Sequence, residues 1–428
     1  MRDFGRSDNP AVQAQLDRLA KLSLPQGRIG LLTIRALMER LGDPHKRLPP
    51  VFHVAGTNGK GSTCAFLRAM LEADGKRVHA TTSPHLVRYN ERIRVAGRLI
   101  GDDALAGLLE EVLDASDGLG PSFFEVTIAA SFLAFAREPA DACVIEVGLG
   151  GRFDATNVLD HVAASGIAAL GIDHEQWLLA PEEGAPDVPI ARIAFEKAGI
   201  VKPGCSLVTQ RYGPDAELEI ERAAATSGAP LAMRGRDWDA GVTGTGLHYS
   251  DRHGELALPV PTLPGPHQAD NAALAIAMLR HQDFVEVQPD AMAAGLREAE
   301  WPARLQRLPA GPLTRDRVVW LDGGHNRSAG EALAAHFGDA RLHLILGMQK
   351  VKDAQGIVEP LTRNIATLTT VPIAGYETHG PEVRDGATKA NSVAEAMDAL
   401  PADGLPVLVA GSLYLAGNVL RMTNSLPE

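Results

Sequence analysis

The sequence predicts an α/β protein built on mostly parallel sheets. Two observations support this prediction. Short apolar or β-branched runs alternate with helical stretches along the chain, and polar, glycine-containing segments follow several of those runs. The alternation starts again after Leu296, where segments rich in Pro and Gly are typical of a linker. We therefore expect two domains: residues 1–296, and residues 297–428 with a smaller, Rossmann-like α/β fold.

The composition is that of a globular protein with a substantial core. The chain has 428 residues, 45% hydrophobic and 22% charged. A net charge of −12 argues against nucleic acid or an anionic membrane as a partner. Three cysteines without C-x-x-C spacing indicate neither a disulfide framework nor a zinc site. We see no signal-peptide or membrane-spanning run, so we expect a cytoplasmic protein.

Strands and helices are expected to alternate through the first domain. The predicted strands are Val51–Val54, Arg77–Ala80, Ala142–Val147, Ala164–Leu170 and Ser206–Thr209. The predicted helices are Ser62–Ala73, Asp103–Ala115, Phe123–Arg137, Ile190–Lys197 and Gln268–Arg280. Alternating residues predict a hairpin-like excursion over 88–99 and a small antiparallel patch over 232–260. In the second domain the predicted strands are Val318–Leu321, Leu342–Leu346, Thr367–Ile373 and Val407–Ala410.

The segment between the first predicted strand and helix gives the strongest functional signal. Residues 54–63 form a glycine-rich turn with one lysine and three hydroxyl side chains. Such a turn presents backbone N–H groups at a helix N-terminus, where phosphate binds, and a hydroxyl can reach Mg²⁺. The strict P-loop pattern is not met, because Val54 replaces its first glycine and Gly61 follows Lys60. The alternative is an ordinary tight turn, but the residues favour a P-loop-type nucleotide site.

Polar residues also follow other predicted strands, at the edge where parallel sheets bind ligands. Glu146 ends an apolar strand, and a carboxylate in such surroundings is often satisfied by a metal ion. With a phosphate loop nearby we expect Mg²⁺, and Ser83 and His174 could complete its ligands. The alternatives are a hydrogen bond that the Glu146 carboxylate accepts from the glycine turn after it, and a structural role for His174. Asp173 competes with His174 for the metal.

Four further residues allow more than one role from the sequence alone. Lys197, near a helix end, is by itself typical of a solvated lysine with a packed stem. Arg304 lies at the domain junction and could serve either a nucleotide or a salt bridge between domains. Asp322 ends a strand and, with His325, could contact a nucleotide.

Seven segments carry a resemblance to a known family, and they follow one another along the chain: His53–Ser62, Thr82–Leu86, Glu146–Asn157, Gly171–His174, Glu196–Ile200, Gly265–Asn271 and Leu321–Asn326. Together they resemble the folylpolyglutamate synthase and dihydrofolate synthase family, relatives of the Mur cell-wall ligases. The Gly-Lys-Gly-Ser ending of the loop separates the chain from Mur ligases, whose loop usually reads Gly-Lys-Thr. Ala303 stands where relatives often have Gly, and Leu179–Val188 departs from the compact Gly, Thr and Ile run of relatives.

The resemblance implies ATP-dependent amide formation between L-glutamate and a dihydropteroate or reduced folate carboxylate, through an acyl phosphate. It implies two Mg²⁺ ions and a monomeric enzyme, and it favours a bifunctional one. The expected catalytic residues are Lys60, Glu146, His174 and Lys197. The expected ATP contacts are Thr57, Asn58, Gly59, Lys60, Gly61, Ser62, Asn271, Arg304, Asp322 and His325. The expected metal ligands are Ser83, Glu146, His174 and Lys197, the last carbamylated in relatives, and the expected pterin contacts are Phe124 and Asp154.

Other functions compete with this interpretation. The nearest is a folylpolyglutamate synthase without dihydrofolate synthase activity. A P-loop phosphotransferase or NTPase would form no C–N bond, a Mur-type ligase would act on a UDP-sugar peptide, and a nucleotide-binding module would have no activity. A dehydrogenase is disfavoured, because Gly148–Gly151 lacks the G-x-G-x-x-G spacing.

Overall fold

The computed structural model describes residues 6–22, 30–173, 175–244 and 246–425. The chain divides into two compact units. The first contains the chain up to Thr262 together with Ala269–Ala299, and the second contains Leu263–Gln268 and the chain from Glu300. The functional division at residue 296 stays a prediction. Within the described residues, none of the helices has the length and apolar character needed to cross a membrane.

The helices and strands alternate along both units. Up to Glu298 they are α1 (Pro10–Ala20), α2 (Leu32–Arg40), β1 (Val51–Ala55), α3 (Lys60–Ala73), β2 (Val78–Thr81), β3 (Ile93–Val95), β4 (Arg98–Leu99), α4 (Asp102–Ala115), α5 (Phe123–Arg137), β5 (Ala142–Glu146), β6 (Ala164–Ile167), α6 (Glu175–Leu178), α7 (Pro189–Ala198), β7 (Ser206–Thr209), α8 (Pro214–Ser227), β8 (Leu231–Met233), β9 (Trp238–Thr243), β10 (Gly246–Asp251), β11 (Gly254–Pro259), α9 (His267–Arg280) and α10 (Pro289–Glu298). After Glu298 they are β12 (Gln306–Arg307), β13 (Val319–Leu321), α11 (Arg327–Phe337), β14 (Leu342–Leu346), α12 (Gln355–Val358), β15 (Ile365–Thr370), β16 (Thr388–Lys389), α13 (Val393–Asp398), β17 (Val407–Ala410) and α14 (Leu413–Met422).

The first unit is organised around a sheet with strand order β4-β3-β2-β5-β1-β6-β7-β8. Strands β2, β5, β1, β6, β7 and β8 run parallel, whereas β3 pairs antiparallel with both β2 and β4. Every residue of β1 and β5 is buried, which explains why both strands are continuous apolar runs apart from His53 and Glu146. Because β1 pairs with both β5 and β6, the loops after these strands leave the same edge of the sheet.

Two further sheets complete the fold. Strands β9, β10 and β11 form the antiparallel patch that the sequence predicted over 232–260. The sheet of the second unit has the order β12-β13-β17-β14-β15-β16 and is parallel except for the β12–β13 pair. The predicted α/β class with mostly parallel sheets is therefore confirmed.

The boundaries of several elements differ from the prediction for physical reasons. Strand β6 ends at Ile167 instead of Leu170, because the carbonyl of Ala169 turns away and accepts hydrogen bonds from the N–H groups of Thr57 and Asn58. Helix α3 begins at Lys60, two residues earlier than predicted, since Gly59 allows the left-handed backbone that starts it. The predicted hairpin is confirmed as β3 and β4, which are joined through Ala96-Gly97.

Candidate active site

The loop between β1 and α3 is held firmly by the loop that follows β6. The Oγ1 of Thr57 donates to the carbonyl of Gly171 at 2.8 Å and accepts from the Gly171 N–H at 3.0 Å. The N–H groups of Thr57 and Asn58 both donate to Ala169 O. The hydroxyl of Thr57 thus fixes the shape of the loop, a role that the sequence did not predict for it.

Gly59 is a position in this loop whose backbone conformation and close neighbours favour glycine. Its φ is +82°, and a Cβ built there would lie 2.2 Å from Oδ1 of Asn271 in α9. The side chain of Asn271 is buried, so its amide packs directly on the loop. The structure therefore brings the predicted nucleotide contact Asn271 to the predicted phosphate loop, although the two lie more than two hundred positions apart.

Two lysines converge on one carbonyl oxygen of the loop. The Nζ of Lys60 donates to Gly56 O at 3.0 Å and to Thr57 O at 3.3 Å. The Nζ of Lys197, at the end of α7, donates to the same Gly56 O at 2.9 Å. An ammonium group that bonds carbonyl oxygens can exchange them for phosphate oxygens, which carry more negative charge.

The environment of Lys197 disfavours its charged form. Its side chain is buried, and burial lowers its pKa to about 7, with the positive charge of Lys60 acting in the same direction. Asp173, Asp154 and Glu196 oppose the shift. A large part of Lys197 is therefore neutral near pH 7, unlike the solvated lysine that its position alone suggested.

Glu146 ends β5 in an almost dry environment. It is 5% exposed, and its Oε2 accepts a hydrogen bond from the Ser83 N–H at 3.0 Å. The predicted metal ligands Ser83 and Glu146 are thus neighbours, and their hydroxyl and carboxylate oxygens suit a hard divalent cation. The third predicted ligand, His174, lies outside the described residues. Within the described ranges, His, Cys, Asp and Glu side chains form no metal-binding group of three or more.

A pocket of about 300 Å³, a volume that includes open solvent, lies beside these lysines. It brings together the phosphate loop, the glycine segment after β5, and the segment after β6. Gly150 lets the glycine segment approach Leu178 closely, because a Cβ on Gly150 would lie 3.0 Å from Cδ2 of Leu178. The lining residues are Gly56, Thr57, Lys60, Val147, Gly148, Leu149, Gly150, Asp173, Leu178 and Lys197.

The two predicted pterin contacts flank the same glycine segment in different ways. The ring of Phe124 packs against Gly148, where a Cβ would lie 2.4 Å from Cζ of the ring. Asp154 is 4% exposed and accepts hydrogen bonds from Leu149 N at 2.8 Å and from the N–H and hydroxyl of Thr156. Burial raises the pKa of Asp154 against these hydrogen bonds. Its carboxylate therefore holds the segment in place.

In the second unit, Asp322 performs a similar holding role. Its Oδ2 accepts from Leu305 N at 2.8 Å, and its Oδ1 accepts from Gly324 N at 2.7 Å. Ala303, where relatives often carry Gly, has a φ of +57°, a conformation that favours glycine. Arg304 is half-buried next to it. His325 follows the same loop, with Nδ1 3.4 Å from Gly323 O.

Sequence reasoning missed four charged residues close to the pocket wall. Arg152, Glu182, Arg192 and Glu196 form an ion-pair network behind Leu178. The available signal was the spacing of Arg192 and Glu196, which places both on one side of α7. Glu182 carried no such signal, because it lies in an irregular segment.

Two of the known proteins to which the chain is similar have the same name. The chain is 33% identical over 409 residues to the dihydrofolate synthase/folylpolyglutamate synthase of Escherichia coli, covering 93% of this chain and 92% of the relative. It is 36% identical over 354 residues to the Bacillus subtilis protein of the same name, covering 78% of each. No model of a protein family matches the chain.

Solved structures agree. An E. coli FolC structure in complex with DHPP and ADP has a TM-score of 0.86 at 32% identity, covering 98% of each chain. A bifunctional folylpolyglutamate synthase/dihydrofolate synthase with Mn, AMPPNP and L-glutamate bound has a TM-score of 0.84 at 28% identity, covering 98% of this chain and 100% of the other. The chain therefore belongs to the dihydrofolate synthase/folylpolyglutamate synthase family, which confirms the prediction of an ATP-dependent ligase from the sequence.

Proposed function

We propose that this protein joins L-glutamate to the carboxylate of dihydropteroate and of reduced folates, using ATP to form an acyl phosphate. The observation that carries the proposal is the convergence of Lys60 and Lys197 on Gly56 O, beside the pocket. The Lys60 ammonium group and the N-terminal N–H groups of α3 suit a triphosphate, and Lys197 lies beside them on the same carbonyl oxygen.

The phosphates are assigned to residues 57–62. Lys60 leaves Gly56 O and Thr57 O to contact phosphate, while the backbone N–H groups of the first turn of α3 donate to phosphate oxygens. Asn271 supports the loop through its contact with Gly59. Nucleotide contacts from Arg304, Asp322 and His325 belong to the same proposal, in which residues 1–296 bind ATP and residues 297–428 bind glutamate.

A divalent cation, Mg²⁺ in our proposal, is held by Ser83, Glu146 and His174. A bound cation would neutralise negative charge on the phosphate groups during phosphoryl transfer. A second ion requires another anionic ligand, for which we propose carbamylated Lys197. In that modification the neutral amine attacks CO₂, a C–N bond forms and one proton is released. The lowered pKa of Lys197 supports the modification, since only the neutral amine reacts.

Two bond exchanges make up the reaction. A substrate carboxylate oxygen attacks the γ-phosphorus, and ADP leaves. The amino group of glutamate then attacks the acyl carbon, the C–O bond to phosphate breaks, and the amine loses a proton. The protein contributes position and charge without a covalent nucleophile. Phe124 packs beside the glycine segment at which we place the pterin side of the pocket, and Asp154 shapes that segment.

The test is ADP release with MgATP and L-glutamate, offering dihydropteroate and tetrahydrofolate in turn. We expect turnover with both acceptors, each dependent on glutamate, and a product whose mass increases by one glutamyl residue. Turnover with tetrahydrofolate alone would reduce the assignment to folylpolyglutamate synthase. ADP release that ignores glutamate would identify a phosphotransferase or NTPase and refute the ligase.

A variant of Glu146 distinguishes loss of the proposed metal ligand from loss of folding stability. Glu146→Gln keeps the size of the side chain and an acceptor for the Ser83 N–H, but it removes the charge. We expect turnover to fall by roughly 10²–10³-fold with an unchanged melting temperature, as for other strong electrostatic contacts. Exposed Glu183→Gln is the control. Near-normal turnover of Glu146→Gln across a Mg²⁺ titration would remove the metal assignment.

A further inference from the structure

A network of four charged side chains lies behind the pocket wall. The Nη2 of Arg152 is 2.5 Å from Glu182 Oε2 and 2.7 Å from Glu196 Oε1. The Nη2 of Arg192 is 2.7 Å from Glu182 Oε2 and 3.3 Å from Glu196 Oε1. Each arginine therefore bridges both carboxylates, and the charges of the four groups sum to zero.

This network differs from an ordinary surface ion pair. The side chains of Arg192 and Glu196 are 7% exposed and that of Glu182 is 14% exposed. The guanidinium carbon of Arg152 also lies 4.2 Å from the ring centre of Phe153 and 4.7 Å from that of Phe195. Shielded, multiply bonded pairs are screened less by salt and have a more fixed geometry than exposed pairs.

The network ties three segments of the pocket together. Arg152 follows the glycine segment, and its N–H donates to Glu196 O at 2.8 Å, one residue before Lys197. Arg192 donates from Nε to the carbonyl of Leu178 at 3.0 Å. Glu182 then binds both arginines from the segment after α6.

Gly171 and Glu182, which lie on either side of the pocket residues Asp173 and Leu178 in the sequence, are both bonded to other segments. At one end Gly171 exchanges hydrogen bonds with the hydroxyl of Thr57 in the phosphate loop. At the other end Glu182 is held by Arg152 and Arg192. Between the anchors lie Asp173 and Leu178, which line the pocket.

We propose that Glu182 is a positioning residue for nucleotide binding: by pairing with Arg152 and Arg192, it keeps the pocket-lining residues Asp173 and Leu178 in place before ATP arrives. The inference rests on the proposed function, since it concerns binding of ATP to the same pocket.

Preorganisation predicts a particular kinetic signature. Without Glu182, Arg152 and Arg192 keep Glu196 as a partner, so α7 and the amine of Lys197 stay in place. The wall residues Asp173 and Leu178 then lack the support of Glu182 and depend on the Gly171–Thr57 and Arg192–Leu178 hydrogen bonds, so they occupy the binding-competent arrangement for a smaller fraction of the time. The apparent affinity falls in proportion to that fraction. We expect Glu182→Gln to raise the KM for MgATP about tenfold, while kcat changes much less.

The experiment measures glutamate-dependent ADP release against MgATP concentration for wild type, Glu182→Gln, Glu182→Asp and Glu183→Gln. The neighbour Glu183 is exposed and is the matched control. A raised KM with nearly constant kcat in Glu182→Gln, partial recovery in Glu182→Asp and no change in Glu183→Gln would support the proposal.

Other outcomes overturn it. An unchanged KM in Glu182→Gln, or a lower kcat at constant KM that follows the loss of folded protein by circular dichroism, would leave Glu182 with a purely structural role. If the wild type itself shows no glutamate-dependent turnover, the proposed function fails instead. In that case, equal affinities of wild type and Glu182→Gln for an ATP analogue in calorimetry would also overturn the positioning role.

Discussion

The loops after β1 and β13 both connect a strand to a helix, but they use their polar groups differently. Each follows a strand in a parallel pairing and leads into a helix. After β1 the turn ends at Gly59, and within the described part of the chain no side chain caps α3. After β13 the side chain of Asn326 accepts from Ala329 N and caps α11, while Asp322 bonds two backbone N–H groups.

This difference shows what turns the end of a strand into an anion site. Among the described residues, the first loop leaves the N–H groups at the start of α3 without a side-chain cap and adds the ammonium group of Lys60. The second loop uses carboxylate and amide oxygens to satisfy its own backbone. Position alone favours ligand binding, but uncapped donors and nearby cations decide the charge of the ligand.

The largest expected effect is on the first loop. Lys60→Ala removes the amine that we assign to phosphate, and turnover should fall by roughly 10²–10³-fold. The melting temperature should hold, because the carbonyls of Gly56 and Thr57 border the pocket. The measurement is steady-state ADP release together with thermal unfolding.

The matched control for this variant is Lys46→Ala, which removes an exposed lysine from the same unit. It should leave turnover unchanged. If Lys60→Ala turned over like wild type, the amine of Lys60 would not contribute to phosphate binding. The loop after β1 would then differ from the loop after β13 in its conformation and not in its function.

The sequence predicted the parts of the fold that local patterns encode. Buried strands such as β1 and β5 are continuous apolar runs, and the glycine turn at 56–61 marks a strand-to-helix junction. Helices α1, α2, α8 and α10 were missed, although Asn9-Pro10 is a typical N-cap and first-turn signal for α1. Their amphipathic faces pack on other elements, and tertiary burial is not visible in a short window.

The candidate site was predicted less completely, for a related reason. Residues carried by motifs, such as Lys60 and Glu146, were identified by type and position. The contact between Asn271 and Gly59, and the environment that lowers the pKa of Lys197, depend on residues far apart in the chain. The ion-pair network around Glu182 could not be predicted, because Glu182 lies in an irregular segment without a helical or strand-like pattern of residues.

The second prediction concerns the protonation of Lys197, which lies beside the first loop, and its effect on the free energy of unfolding. Lys197 has a folded-state pKa of about 7, below the usual value of 10.5. Between these two pH values the unfolded chain binds the extra proton, so the free energy of unfolding should rise with pH. Compared with Lys197→Met, wild type should gain roughly 2 kcal/mol between pH 7 and pH 9.

The measurement is denaturant unfolding of both proteins at several pH values, in metal-free buffer purged of CO₂ so that the amine stays unmodified. Lys389→Met, at an exposed position, is the control and should follow wild type. A parallel pH dependence of wild type and Lys197→Met would show that Lys197 is charged in the folded protein throughout this range.

The third prediction tests the internal bonding of the second loop. Asp322→Asn keeps one acceptor oxygen and replaces the other with an NH₂ group that faces a backbone N–H. The lost bond, from Leu305 N or Gly324 N, should cost about 1–3 kcal/mol locally. Hydrogen exchange at those two amides should accelerate, whereas exposed Asp385→Asn should leave both rates unchanged. Unchanged protection in Asp322→Asn would mean that its carboxylate is available for a ligand.

The smallest expected effect concerns the cap of α11. Asn326→Ala removes the acceptor of Ala329 N and should destabilise the helix start by about 1 kcal/mol. Asn326→Ser keeps a capping oxygen and should cost much less, which makes it the matched control. The measurement is hydrogen exchange of the backbone N–H groups in the first turn of α11. These N–H groups include one that donates to a side chain, whereas none of the described side chains caps α3. If Asn326→Ala exchanges like Asn326→Ser, the cap contributes little, and the contrast between the two loops reduces to their charges.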